Sequence, residues 1–415
     1  MRRRNLLLTL TAVATVGCYA AFVYGPARRH EQNLQKLRVM GVITTHEEMI
    51  AELSKGSKET ARLYREAEGL YRLIPKRTDA LSNWLGWKPE DGLSKGEELR
   101  KPLEPIISKV LEATAGDPPN WERNWKWGAD VGFSLPLESN ALAKIMVGEA
   151  QYQAALGDVA RSVNGLSAIH GICEHLASEP LLTNHLMSHA ILRMHDAAAL
   201  RILNQFKTDK AALLDLEDYF RASVQMPPIR DALRGDLYLG RSWLAMKESL
   251  QEYLSDATKN QLDPLIDWPY FRGAADRKLV ANWLKTYEAF PEDPSDIAGH
   301  QEAMMDTFRS LQDPTMPTGK LVQMSFTLFS FGYHWHRTEA ARRLLLVSSA
   351  LLGAHSRTGR LPDDLGSFGE LAVDPLSGQS FEYEPNENGF RLYRPGTDPG
   401  VEGSSGSNFI CSFSW

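Results

Sequence analysis

Apolar residues recur at helical spacing along most of the chain. The pattern is clearest from Leu137 to Phe206, where Ala141, Ile145, Gly148, Tyr152 and Ala155 follow one another by four and three residues and so share one helical face. Gly157-Asp158 turns the chain into a second helix carrying Leu166, Ile169, Cys173 and Leu176. Ser178-Glu179-Pro180 then introduces a third, with serine suited to a cap and proline to a first turn. Further helices are predicted over Lys210 to Val224, Ile229 to Leu254, Ala274 to Ala289 and Ile297 to Leu311. A strong one spans Thr338 to His355, its apolar side marked by Ala341, Leu344, Leu345, Ser348, Leu351 and Leu352. Ahead of all these, Ala27 to about Leu111 reads as helical and highly charged, with Glu47 to Leu53 and Thr60 to Leu73 as its best-defined stretches.

The periodicity breaks in two places. Between Ala115 and Pro136 the chain passes Gly116, Asp117-Pro118-Pro119, Gly128 and Gly132, which predicts a boundary loop holding Trp121, Trp125 and Trp127. After His355 the composition changes again, and Phe381-Glu382-Tyr383 and Phe390-Arg391-Leu392-Tyr393 read as two short strands closed by Asn386-Glu387-Asn388-Gly389. The expected fold is therefore mainly α: a helical bundle or short solenoid with a small C-terminal α+β subdomain. The expected divisions are an anchor over 1-27, a helical stem with the tryptophan loop over 28-135, a helical domain over 136-335, and the mixed subdomain over 336-415.

The N-terminus departs from this amphipathic pattern. Arg2, Arg3 and Arg4 precede a run from Leu6 to Tyr24 without a charged residue, long enough as a helix to cross roughly 30 Å of hydrocarbon. The run exceeds the apolar stretch of a cleaved signal peptide and closes on Gly25-Pro26 and Arg28-Arg29. It predicts an uncleaved signal anchor, a single transmembrane helix holding residues 5-24 in the membrane with the N-terminus cytoplasmic and the bulk extracytoplasmic. The rival is a lipoprotein signal, since Thr15-Val16-Gly17-Cys18 approximates the box before a lipidated cysteine.

Composition narrows the functional classes. A net charge of -6 and a pI near 6.0 lack the basic excess that contact with nucleic-acid phosphates requires, so no nucleic-acid partner is expected. Cys18, Cys173 and Cys411 admit at most one bridge outside the apolar run, between Cys173 and Cys411, and two unpaired thiols are the favoured reading. No Gly-x-Ser-x-Gly elbow, phosphate-binding Gly-x-x-x-x-Gly-Lys loop or dinucleotide Gly-x-Gly-x-x-Gly fingerprint occurs, so no catalytic residue or organic cofactor is assigned. Glu217-Asp218 is an acidic pair on a predicted helix, read as solvated surface because adjacent helical residues do not face a common point.

Two constellations are candidates for chemistry. An antiparallel hairpin folded at Ser178-Glu179-Pro180 sets His170 opposite His189 and Glu174 opposite His185. That would gather three imidazoles and a carboxylate, a donor set suited to zinc or iron, while the blander alternative leaves the four beside an apolar seam in ordinary hydrogen bonds. The three tryptophans of the boundary loop suit stacking on sugars, or else pin the loop to the domain.

Two family resemblances add to this. The alternation of small and large residues around Gly157-Asp158 resembles one tetratricopeptide helical hairpin. The last fifth of the chain resembles the periplasmic part of type II secretion major pseudopilins: a helix, Gly359 to Pro362, the Asp374-Pro375-Leu376-Ser377-Gly378 turn, the Phe381 to Tyr383 strand, and the loop from Leu392 to Gly403 follow in that family's order. The family's N-terminal processing motif is absent, with Arg4-Asn5-Leu6-Leu7 in its place. The resemblance implies a pseudopilin-like head and a calcium site in the terminal loop, where Asp398 and Glu402 would supply the carboxylates and a solvated Gly/Ser turn is the alternative. The chain is accordingly expected to be a membrane-anchored structural or interaction component of the cell envelope, linked to secretion or surface assembly, with an envelope protein partner. The alternatives are an anchored metal-dependent hydrolase of an envelope polymer and a carbohydrate-binding envelope protein.

Overall fold

A computed structural model describes residues 24–123, 134–222, 229–245, 269–289, 299, 302, 327–396 and 410–414. Its centre is three consecutive helices, α7 (Ser134–Ala155), α8 (Val159–Ala177) and α9 (Leu182–Gln205), preceded in the chain by α1 (Gly25–Val39), α2 (His46–Leu53), α3 (Lys58–Leu73), α4 (Arg77–Gly86), α5 (Leu93–Arg100) and α6 (Glu104–Thr114). The Gly157-Asp158 turn forms as its residues dictate. Gly157 takes the left-handed conformation (φ 79°) that ends α7, and the Asp158 carboxylate accepts the Arg161 N–H at 3.0 Å to cap α8. α7 and α8 then approach closely because Gly165 lies against Ala150, and α4 seats Trp84 against Gly148, where no Cβ would fit.

One hydrophobic core runs from Ala61 to Phe413 and so joins the stretches 28-135, 136-335 and 336-415. α3 and α6 pack on one side of the α7–α8–α9 layer, and on the other lie α10 (Lys210–Ala222) and the long α14 (Thr327–Thr358). Residues between these last two supply α11 (Ile229–Leu233), α12 (Asp236–Ala245) and α13 (Pro269–Ala289). With α1 they surround a second, smaller core of Leu34, Leu37, Leu237, Val280 and Trp283.

The membrane expectation is corrected. No helix among the described residues is long and apolar enough to cross a membrane. The first of them, α1, carries Arg28, Arg29, Glu31, Lys36 and Arg38, each of which would be costly in hydrocarbon. The single N-terminal transmembrane helix, the signal anchor and the single-pass localisation built on it are therefore withdrawn. The run from Leu6 that suggested them, and Cys18 within it, lie outside the described residues apart from Tyr24.

The third helix starts differently from expectation. Ser178 does not cap it; α9 begins at Leu182, whose N–H is accepted by the carboxylate of Asp236 at 2.7 Å, 54 positions downstream. Around that contact Gly235 N–H reaches the Pro180 carbonyl (2.8 Å) and Ile43 N–H the Arg234 carbonyl (2.8 Å), tying three remote segments together. Gly235 is needed there because a Cβ would press on the Pro180 carbonyl. Asp236 is enclosed, and burial pushes its carboxyl up to about 7 against the single backbone hydrogen bond that opposes the shift.

At the C-terminus the predicted hairpin is present, as β1 (Glu382–Asn386) and β2 (Gly389–Tyr393), and a third antiparallel strand, β3 (Ile410–Ser414), follows it in the order β1-β2-β3. Tyr383 pairs with Leu392, Leu392 with Cys411, and Phe390 with Phe413. Phe390, Leu392, Cys411 and Phe413 are buried in the main core, and β2 and β3 touch α14. Gly389 is required because the Phe413 carbonyl occupies the place of a Cβ. The Asp374-Pro375-Leu376-Ser377-Gly378 turn is held by the Asp374 carboxylate, which accepts from Leu376 N–H (3.1 Å), Ser377 Oγ (2.8 Å) and the Arg394 guanidinium (3.1 and 3.2 Å).

Candidate functional site

α8 and α9 do form an antiparallel hairpin, but in a register two residues from the one expected. Cys173 lies opposite Ser188, the Ser188 hydroxyl donating to the Cys173 carbonyl at 2.9 Å and the thiol to the Ser188 carbonyl at 3.4 Å. The four predicted ligands divide into two pairs. His170 Nδ1 lies 3.6 Å from a Glu174 carboxylate that is largely exposed. His185 and His189 are enclosed, and the second feels the first together with Arg193 and His334. Among the described residues, no group of three or more His, Cys, Asp or Glu side chains is placed to hold a metal ion. Burial drives all three imidazoles toward the neutral form: His170 falls to about 3, with His195 and Arg342 adding to the effect, His185 falls to about 4 against the opposing Ala177 carbonyl, and His189 falls well below its usual value.

A different constellation gathers beside His170. His195 and Asp196 on α9, Tyr219 on α10 and Arg342 on α14 meet it where four helices converge. His195 Nδ1 lies 2.9 Å from Asp196 Oδ1, and its Nε2 lies 2.9 Å from the Tyr219 hydroxyl. A carboxylate only accepts, so Nδ1 carries the proton and Nε2 accepts from the tyrosine. The result is a Tyr–His–Asp relay from half-buried Tyr219 to a fully enclosed carboxylate.

Arg342 is the unusual member. It is 2% exposed, yet Nε, Nη1 and Nη2 all lack a hydrogen-bond partner in the protein, and so does the second oxygen of Asp196. Removal from solvent lowers the Arg342 pKa, with Asp196 the strongest opposing charge and Glu339, Tyr219 and Cys173 following. Glu339 is itself engaged by Arg343 at 2.8 Å. A buried guanidinium without partners is costly, and native proteins supply such groups with water or a bound molecule. The sequence offered a signal that was missed. Arg342 interrupts the apolar side of the Thr338 to His355 helix beside Ala341, where a solvated arginine would not be expected.

The remaining candidates resolve one by one. Trp121 is buried and packs on Tyr64 with ring centroids 5.4 Å apart, which pins this end of the loop; Trp125 and Trp127 lie outside the described residues, as do Asp398 and Glu402 of the implied calcium loop. Cys173 and Cys411 are unpaired and buried. Glu217 is not solvated surface: it is enclosed and bridges Arg221 on its own helix to Arg357 on α14, at 2.7 Å each, while Asp218 is exposed. No protein-family model, curated protein or solved structure matches the chain.

Proposed function

We propose that this is a helical binding protein that takes one small polar molecule between α8, α9, α10 and α14. The observation that carries the reading is Arg342: all three of its nitrogens are unsatisfied at a place solvent does not reach, and one carboxylate oxygen of buried Asp196, on α9, is unsatisfied as well. Donors and an acceptor left bare inside the core favour an occupant. The Tyr219–His195–Asp196 relay fixes the carboxylate so that its free oxygen keeps one orientation.

An experimental structure of the full chain, purified without denaturation, tests this. Ordered non-protein density in contact with Arg342 and Asp196, with a matching mass released on denaturation, is the expected result. Arg342 turned onto a protein partner with nothing beside it would end the reading.

A second reading keeps an interaction role for the C-terminal unit. α14 followed by the Asp374 turn and an antiparallel sheet has the order of a pseudopilin head, which supports a surface that contacts another protein. Reversing exposed charges of the sheet with Glu384→Lys and Glu387→Lys in the full chain should then abolish binding of a protein that the unaltered chain retains, and unchanged occupancy at Arg342 in the same variant would separate the two roles.

A further inference from the structure

The hydrogen bonds of the tyrosines set one of them apart, whatever occupies the space at Arg342. A phenol gives up an electron readily only when its proton leaves in the same step, because the cation left by electron loss alone is a very strong acid. The proton therefore needs an acceptor already in place, within about 2.6–3.2 Å. Imidazole, with a pKa of about 6.5, accepts it better than a carboxylate at about 4. Tyr152 and Tyr393 donate to the carboxylates of Glu97 (2.8 Å) and Glu384 (2.6 Å), and Tyr383 and Tyr287 to backbone carbonyls. Tyr64, Tyr238 and Tyr219 each meet an imidazole instead: His175 at 2.9 Å, His46 at 3.2 Å and His195 at 2.9 Å.

What stands behind each ring separates these pairs. On taking the proton the imidazole becomes an imidazolium, and the N–H on its far side needs an acceptor that can bear the new charge. His175 Nε2 faces the neutral Gly116 carbonyl at 3.2 Å, and His46 Nε2 is buried without a hydrogen-bond partner. His195 Nδ1 faces the Asp196 carboxylate at 2.9 Å, which is both an acceptor and a counter-charge. His195 and Asp196 are enclosed, where an opposite charge acts most strongly. Tyr219 itself is half-buried, so an oxidant at the surface approaches it without entering between the helices.

We infer that Tyr219 is a redox-active tyrosine, which passes one electron to a high-potential one-electron oxidant at the surface while its hydroxyl proton moves to His195 Nε2. The O–H bond breaks, an N–H bond forms, and a neutral tyrosyl radical is left beside an imidazolium held by Asp196. A one-electron reductant from solution returns the electron, and the proton goes back along the same hydrogen bond.

Flash oxidation of the intact chain by photogenerated tris(bipyridine)ruthenium(III), followed by transient absorption and electron paramagnetic resonance, tests this. A tyrosyl radical is expected, formed more slowly in D2O because proton and electron move together, and lost in Tyr219→Phe. His195→Gln keeps a polar side chain but removes the base, and should slow radical formation at least about ten-fold and abolish the solvent isotope effect. Circular dichroism checks that both variants are folded, and the isotope effect on the unaltered chain needs no variant at all. A radical of full height in Tyr219→Phe, equal rates with and without His195, or no isotope effect in the unaltered chain would each overturn the assignment.

Discussion

The two sides of the α7–α8–α9 layer bury polar groups in different ways. Toward α3, α5 and α6 the buried charges and rings named here are partnered. Arg100 grips Glu149 with two bonds of 2.8 and 3.2 Å, and Gln153 donates to the same carboxylate at 2.8 Å. His175 accepts from the Tyr64 hydroxyl at 2.9 Å and donates to the Gly116 carbonyl at 3.2 Å. Toward α14, Arg342 and Asp196 Oδ2 have no such partners. Both sides share one hydrophobic core, so the difference is one of polar satisfaction. It teaches that on the first side the charged groups are closed off by other side chains, leaving only neutral atoms such as Gln153 Oε1 and Trp121 Nε1 bare, whereas on the second a whole guanidinium is left bare.

Acid is expected to disturb both sides most. His175 and His185 are both pushed down to about 4 and His170 to about 3 by burial. Their folded-state values lie below the unfolded value of about 6.5, so the unfolded chain binds more protons between those limits. Their contribution to stability is whole above pH about 6.5 and is lost as pH falls from there toward the folded values, at about 1.4 kcal/mol per pH unit for each ring. Asp236, raised to about 7, works in the opposite sense and offsets one ring. Urea midpoints measured from pH 7 to 5 should therefore fall, and a flat profile would refute the burial of these imidazoles.

Next in size, Arg100→Met should cost about 3 kcal/mol, because it strands Glu149, which is 7% exposed in its side chain. A smaller contrast comes from the histidines. His175→Leu leaves the Tyr64 hydroxyl and Gly116 carbonyl bare and should cost about 1–3 kcal/mol. His185→Leu removes two nitrogens that make no hydrogen bond of ordinary geometry, the Ala177 carbonyl being the one group that acts on the ring, and should stay within about 1 kcal/mol while flattening the acid response. The smallest change belongs to Arg342→Met in ligand-free protein, expected to be neutral or stabilising by about 1 kcal/mol, as for other buried charges replaced by apolar chains of similar volume. Denaturant titration of the two methionine variants side by side decides the matter: equal losses would erase the distinction between the two sides.

Local chemistry was legible in the sequence. Gly157-Asp158 announced a turn between two helices, and it is there, built from a left-handed Gly157 and an Asp158 side-chain cap. Alternation within 390–393 and the Asn386 to Gly389 turn announced the hairpin, with the Asn386 side chain accepting Asn388 N–H at 2.9 Å. What escaped depends on partners remote in the chain. Asp236 caps α9 from another helix, and no window around Ser178 contains that fact. β3 finds its pairing only against β2, and Ser412 and Ser414 dilute its apolar character. The anchor was inferred from an uncharged run, yet the helix described from Gly25 onward is charged, and no described helix meets the requirement for crossing a bilayer. The histidine set stays as two pairs, His170 with Glu174 and His185 with His189, in a pairing of α8 and α9 shifted two residues from the expected one, and His170 comes to lie beside His195 with ring centroids 6.2 Å apart.

The contact between Leu182 and Asp236 also has a temporal side. As the ribosome extrudes the chain, α8 and α9 emerge together, but the amide that begins α9 must wait for the carboxylate 54 positions later, and the Pro180 carbonyl for Gly235. Until then water serves those groups, and the hairpin remains free to fray at that end. The nascent protein can thus test pairings between α8 and α9 before the arrival of residues 234–236 latches one of them.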